Sequence, residues 1–166
     1  MGEREVNAKQ PQGILDDCIY IEQQPYCLSA TLRDNLKVAD ANVADETLDN
    51  LLTQLNLTHL NANVTQGIKE GSTDQLQQYD YLNQWVGERG RSLSGGELKR
   101  LGLARAMLSK ATFILLDEPF EGLDQENIQR VVELINQLAT TKGVVVASHI
   151  MPESLQVHSL LSLDSN

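Results

Sequence analysis

One stretch, Ser92 to Asp124, limits what this chain can fold into more than any other: SLSGGELKRLGLARAMLSKATFILLDEPFEGLD. Its first part, Leu93-Ser94-Gly95-Gly96-Glu97, opens a helix. Ser94 followed three residues later by Glu97 is the pattern of a capping box, in which the hydroxyl caps a backbone N–H and the carboxylate reaches back. Gly95 and Gly96 carry no Cβ, so a ligand can approach the backbone closely. Free N–H groups at a helix start, together with the macrodipole, favour an anion there. Leu98, Leu101, Ala104 and Leu108 continue at helical spacing. Taken alone, the same pattern also describes an ordinary capped surface helix.

About twenty residues later comes an apolar run, Phe113-Ile114-Leu115-Leu116, ending in Asp117-Glu118. Four consecutive apolar residues fit a strand buried on both faces of a parallel sheet. Such sheets present ligand groups at the carboxyl ends of their strands, where Asp117 and Glu118 stand. Acids at that point suit a hard ion such as Mg²⁺, and one can activate a water. Pro119 ends the strand and Gly122 permits a turn. A lone Asp-Glu pair would equally suit a polar strand end leading into a loop.

In this order and at this spacing, the two devices resemble the signature and Walker B motifs of ATP-binding-cassette (ABC) ATPases. The residues leading into the signature, 82–91, and Asp117-Glu118-Pro119-Phe120-Glu121-Gly122-Leu123-Asp124 are similar to the C-type subunit of heterodimeric thiol-reductant exporters needed for cytochrome bd assembly. The resemblance implies an α/β fold: an incomplete P-loop NTPase (ABC ATPase) core of parallel strands with an α-helical signature subdomain. Residues 1–13 read as a loose tail and 14–166 as a partial ABC ATPase domain. Its helical subdomain would run from about 24 to 110, and its core from 14–23 and 111–166.

The resemblance also assigns roles. Ser94, Gly95, Gly96 and Glu97 would serve the ATP of a partner cassette packed head to tail. Asp117 would hold Mg²⁺ and Glu118 would be the general base for attack on the γ-phosphate. Gln23, in Glu22-Gln23-Gln24-Pro25, would be the loop glutamine near Mg²⁺ and the attacking water. His149 would contact the γ-phosphate, and Asp124 would lie at the dimer contact. The segment after Gln23, including Thr31-Leu32-Arg33-Asp34-Asn35, would meet the transmembrane domain of an exporter. The expected cofactors are ATP and Mg²⁺, and the expected partner is a complete ABC cassette in a heterodimer. The expected place is the cytoplasm, at the inner face of a bacterial plasma membrane.

Charge limits the other function classes. Thirteen Lys plus Arg against 23 Asp plus Glu give a net charge of −10, which does not attract nucleic acid. No apolar run nears the length of a membrane span, so any membrane role would come through a partner. Met1-Gly2-Glu3-Arg4-Glu5 lacks the apolar core of a signal peptide. Cys18 and Cys27, the only cysteines, match no zinc or redox spacing and read as reduced structural thiols.

Along the rest of the chain, Cys18–Ile21 reads as a strand and 45–57 as an amphipathic helix buried through Leu48, Leu51, Leu52 and Leu55. His59 reads as a surface or half-buried residue with no partner to make it a ligand. Residues 61–80 read as a polar loop, and Trp85 as an anchor beneath the loop before the signature. Ile128, Val131, Val132, Ile135 and Leu138 mark another helix, and Val144–Ala147 a buried strand. Pro152 would open a short helix, and 159–163 would form a last strand.

No glycine in the sequence is followed by lysine, so it contains no Walker A loop, G-x-x-x-x-G-K-[ST]. Only 22 residues precede Gln23, which leaves no room for a degenerate copy. ATPase activity of the chain by itself is therefore not expected. The sheet is expected to lack a central neighbour of the Asp117 strand, exposing edges and apolar faces. Ser94–Gly96 and the acid-tipped strand are expected to be two walls of one triphosphate cleft.

Three functions fit these observations. The first is the ATP-hydrolysing part of an exporter, of thiol reductants by resemblance. The second is a non-catalytic interaction fragment, or truncated gene product, that offers its signature to a complete cassette. The third is a non-transport ABC-type ATPase, as in chromosome maintenance and DNA repair. Those carry long coiled coils, and only 71 positions separate Gln23 from Ser94.

Overall fold

The computed structural model describes residues 17–60, 79–88 and 92–161. Three parallel strands, β1 (Cys18–Ile21), β4 (Phe113–Asp117) and β5 (Gly143–Ala147), form a sheet in the order β1-β4-β5. Ile19, Ile114 and Val144 stand in register, as do Ile21, Leu116 and Val146. Side chains alternate across a strand, so these six residues share one face. That face packs into the core, where Ile114 is fully buried and Leu116 nearly so. The α/β fold expected from the sequence is the fold observed.

Two long helices accompany the sheet. The first, α3 (Gly95–Leu108), is buried at Glu97 and then without a break from Arg100 through Ala106. It packs so closely on the end of β1 that a Cβ on Gly102 would lie 2.8 Å from Pro25 Cγ. The second, α4 (Gln125–Ala139), buries Val131, Val132, Leu134, Ile135 and Leu138. A smaller layer holds α1 (Leu32–Lys37), α2 (Asp45–Gln54) and an antiparallel pair, β2 (Ala30–Thr31) with β3 (Trp85–Val86). The leucines of α2 lie at the spacing read from the sequence and join the same core cluster as the sheet.

A buried polar joint holds these layers together. Arg105 of α3 donates from Nε to the Asn35 carbonyl and from Nη2 to the Asn35 side-chain oxygen, both at 2.8 Å. Its Nη1 reaches the Tyr26 carbonyl at 2.7 Å, and its guanidinium lies over the Tyr26 ring. Asn35, itself fully buried, also pairs with both backbone groups of Leu28. Every polar group in the joint gains a partner, which is what makes such burial tolerable.

Several expectations need correction. β4 is not buried on both faces: Phe113 and Leu115 are exposed, as are Tyr20 and Val145 on the same side of the sheet. Among the described residues, no helix covers that face. β4 also lacks no neighbour, because β1 and β5 pair with both its edges. Among the described residues the open edges belong to β1 and β5, and β5 is a half-exposed edge strand. Trp85 is 49% exposed, so it is no buried anchor. Pro152 precedes a turn at Glu153–Ser154 and not a helix, and residues 159–161 form no strand. The readings of 1–13, of 61–78 and of residues 162–163 lie outside the described residues.

No helix among the described residues is long and apolar enough to cross a membrane.

Candidate functional site

The opening of α3 is built as its sequence predicts. Ser94 has an extended backbone, and its Oγ accepts from the Glu97 N–H at 3.3 Å. Glu97 Oε2 accepts in turn from the Ser94 N–H at 2.6 Å, closing the capping box. Reciprocal caps of this kind are worth about 1 kcal/mol and fix where the helix begins. A Cβ on Gly95 would meet nothing within 4 Å, whereas one on Gly96 would lie 3.2 Å from Leu123 Cδ2. Gly95 therefore opens onto free space, and Gly96 lets the turn after β4 approach the helix.

That free space is a cleft of about 880 Å³. Gln23, Ser94, Gly95, Gly96, Glu121 and Asp124 are among the residues that line it. Asp124 also caps α4, its Oδ1 accepting from the Asn127 N–H at 2.8 Å. Asp117, Glu118 and His149 do not line this cleft. The wall expected from the acid-tipped strand is formed instead by the turn that follows it, 121–124. The chain reverses there through Gly122, whose φ of +73° favours glycine.

The acids form a second cluster beside it. Glu118 follows the last residue of β4 and adopts a left-handed φ of +46°. Its N–H donates to the Ala147 carbonyl at 2.8 Å, which locks it to the end of β5. Its carboxylate takes Ser148 Oγ at 3.1 Å, the His149 N–H at 3.1 Å and His149 Nδ1 at 2.8 Å. The hydrogen bond from the His149 side chain, ahead of those from Ser148 and the backbone, holds the Glu118 carboxyl below its ordinary range. The same bond raises the His149 imidazole above its ordinary value. Asp117 Oδ2 accepts from the Tyr20 hydroxyl at 2.7 Å, a bond that raises the phenol.

Two residues that motif reading missed join the clusters. Lys99, on the first turns of α3, donates to the Glu118 carbonyl at 2.9 Å and lies 3.4 Å from Glu121 Oε2. Glu121 Oε2 also accepts from Gln23 Nε2 at 2.7 Å. Gln23 is thus joined to Glu121, and Asp117 to Tyr20. His59, exposed as its sequence reading has it, places its Nε2 2.5 Å from Glu97 Oε1 and so touches the capping box. None of these partners lies within a recognisable local spacing, since 38 positions separate His59 from Glu97 and 98 separate Gln23 from Glu121.

Among the described residues, no three His, Cys, Asp or Glu side chains are grouped to hold a metal ion. Asp117 nonetheless offers carboxylate oxygen at a strand end. That donor suits a Mg²⁺ bound by one or two protein oxygens and completed by waters and phosphates.

Comparison with known proteins agrees with this architecture. The sequence profile described as ABC transporter matches residues 3–121. A Haemophilus influenzae protein named glutathione/L-cysteine transport system ATP-binding/permease protein CydC is 33% identical over 99% of this chain. The Escherichia coli protein of the same name is 35% identical over 87% of it. The chain spans about a quarter of the length of these relatives, 26% and 22% respectively. A solved structure of a bacterial Atm1-family ABC exporter with ATP bound matches the fold with a TM-score of 0.61. That match covers 80% of this chain and 21% of the exporter at 21% identity. With the family profile spanning most of its length and the fold agreeing, the chain belongs to the ABC transporter family.

Proposed function

We propose that this chain is part of the ATP-binding and ATP-hydrolysing domain of an ABC exporter, with thiol reductants as the cargo class. The cargo follows from likeness to relatives named as glutathione/L-cysteine transport proteins, as no described residue here addresses it. The observation that carries the reading is the Glu118–His149 pair. A carboxylate at a parallel strand end, oriented by the His149 side chain and backbone N–H, suits a general base for water attack on a phosphate.

In this reading Glu118 takes the proton of the attacking water, and His149 orients the carboxylate and the terminal phosphate. Asp117 would hold Mg²⁺, with Gln23, from the segment after β1, as a further oxygen or amide partner for the metal and the attacking water. When bound, Mg²⁺ offsets phosphate charge. Ser94, Gly95, Gly96 and Glu97 present a helix opening to the ATP of a partner cassette, with Asp124 at the contact. The segment after Gln23 faces the transmembrane domain. The sequence contains no phosphate-cradling G-x-x-x-x-G-K-[ST] loop.

The missing loop favours one second reading, in which the chain completes the site of a full cassette without hydrolysing ATP of its own. The first reading is tested in the full-length subunit that contains this chain, assembled with its partner cassette: ATP turnover lost with Glu118→Gln supports it, and turnover unchanged by that substitution sinks it. Titrating the chain alone into a complete cassette tests the second: changed ATP affinity or turnover, insensitive to Glu118→Gln, supports it, and no change sinks it.

A further inference from the structure

We propose that Glu121 is a positioning residue for the nucleotide site: a latch that parks the Gln23 side chain against α3, and from which Gln23 must be released to act. This rests on the reading above that Gln23 serves the metal and the attacking water. One carboxylate oxygen, Glu121 Oε2, accepts from Gln23 Nε2 at 2.7 Å and faces Lys99 Nζ at 3.4 Å. Lys99 is 12% exposed in its side chain and also donates to the Glu118 carbonyl at 2.9 Å. Three separate segments therefore meet on one oxygen: the end of β1, the first turns of α3 and the turn after β4.

The geometry defines what the latch holds back. Ile21 pairs with Leu116, so the chain leaves β1 beside the end of β4 that carries Asp117. Gln23 lies two residues beyond Ile21, yet its amide is engaged by Glu121 and lines the cleft that Asp117 does not line. To place its amide among oxygens around Asp117, Gln23 must give up the Glu121 bond. Lys99 keeps the Glu121 carboxylate ionised and in place while that happens. Consistent with this, Gln23 first and Lys99 after it hold the Glu121 carboxyl below its ordinary range.

The test uses the full-length transporter subunit that contains this chain, assembled with its partner cassette, and reads KM and kcat for Mg-ATP. Glu121→Ala is expected to lower KM about three- to tenfold, the equivalent of one lost hydrogen bond. Glu121→Gln, which keeps a neutral acceptor, is expected to lower it less. In a Gln23→Ala background, Glu121→Ala is expected to change KM no further. A Glu121→Ala variant with a lower melting temperature but unaltered KM overturns the latch, as does a KM shift of equal size in both backgrounds. If Gln23→Ala alone changes neither KM nor kcat, the reading of Gln23 as a nucleotide-site residue fails first. If Gln23→Ala acts and Glu121→Ala does not, only the latch fails.

Discussion

Arg105 and Asn35 are joined twice, guanidinium Nε to backbone carbonyl and Nη2 to side-chain oxygen, each at 2.8 Å. The pair ties the signature helix to the segment that follows Gln23. Burial lowers the Arg105 pKa, so the guanidinium tolerates its position only because its donors are used. Arg105→Lys keeps the charge but cannot supply the planar fork of donors. It should destabilise the domain by about 2–4 kcal/mol, read as a lowered urea midpoint at unchanged slope. A loss below about 0.5 kcal/mol would show that the joint contributes no net stability.

Glu118 and His149 predict a pH window. The Glu118 carboxyl has a folded pKa below its ordinary value of 4.5, so its contribution is full above that value and fades as pH falls through the folded pKa. The His149 imidazole has a folded pKa above its ordinary 6.5, so its contribution is full below that value and fades as pH rises through the folded pKa. The pair is therefore at full strength between about pH 4.5 and 6.5. Glu118→Gln should bring the His149 pKa back toward 6.5, followed by NMR titration of the ring nitrogens. An imidazole pKa unmoved by that substitution would contradict the contact.

Gly102 should reject a methyl group. A Cβ there would lie 2.8 Å from Pro25 Cγ and 3.0 Å from Ile21 Cγ2. Gly102→Ala normally gains helix propensity, yet here it overpacks the contact between α3 and the end of β1. The expected loss is about 1–3 kcal/mol in denaturant unfolding. A stabilised variant would mean that this contact yields easily.

The uncovered sheet face predicts self-association of the chain by itself. Tyr20, Phe113, Leu115 and Val145 are each 39% exposed or more on one side of the sheet, and β5 has an open edge among the described residues. Such surface recruits other surfaces like it. Val145→Lys, on the edge strand, should shift sedimentation of the isolated chain toward monomer. A sharp two-state melt of the unmodified chain as a soluble monomer would count against the prediction.

Local signals were legible because neighbours in sequence make them. Ser94 and Glu97 are three positions apart, so the capping box, the start of α3 and its anion-favouring end follow from the sequence. The spacing of Leu48, Leu51, Leu52 and Leu55 placed α2, and short apolar runs placed β1, β4 and β5, whereas the two-residue strands β2 and β3 carry no such run. Burial on both faces of β4 was misjudged from the same run, because an apolar strand does not say how many layers cover it. Pro152 and residues 159–161 misled for a related reason: a favourable first-turn residue or an apolar pair does not by itself make an element.

The sequence alone determined the two devices, the helix opening at Ser94–Glu97 and the acids ending β4, since each is written in consecutive residues. Only the tertiary structure decided who meets them. Glu118 meets His149 because β4 and β5 are paired, Gln23 meets Glu121 because β1 and β4 are paired, and His59 meets Glu97 across 38 positions. Such partners share no periodicity, as a hydrogen bond depends on distance in space, and folding sets that distance without regard to separation along the chain.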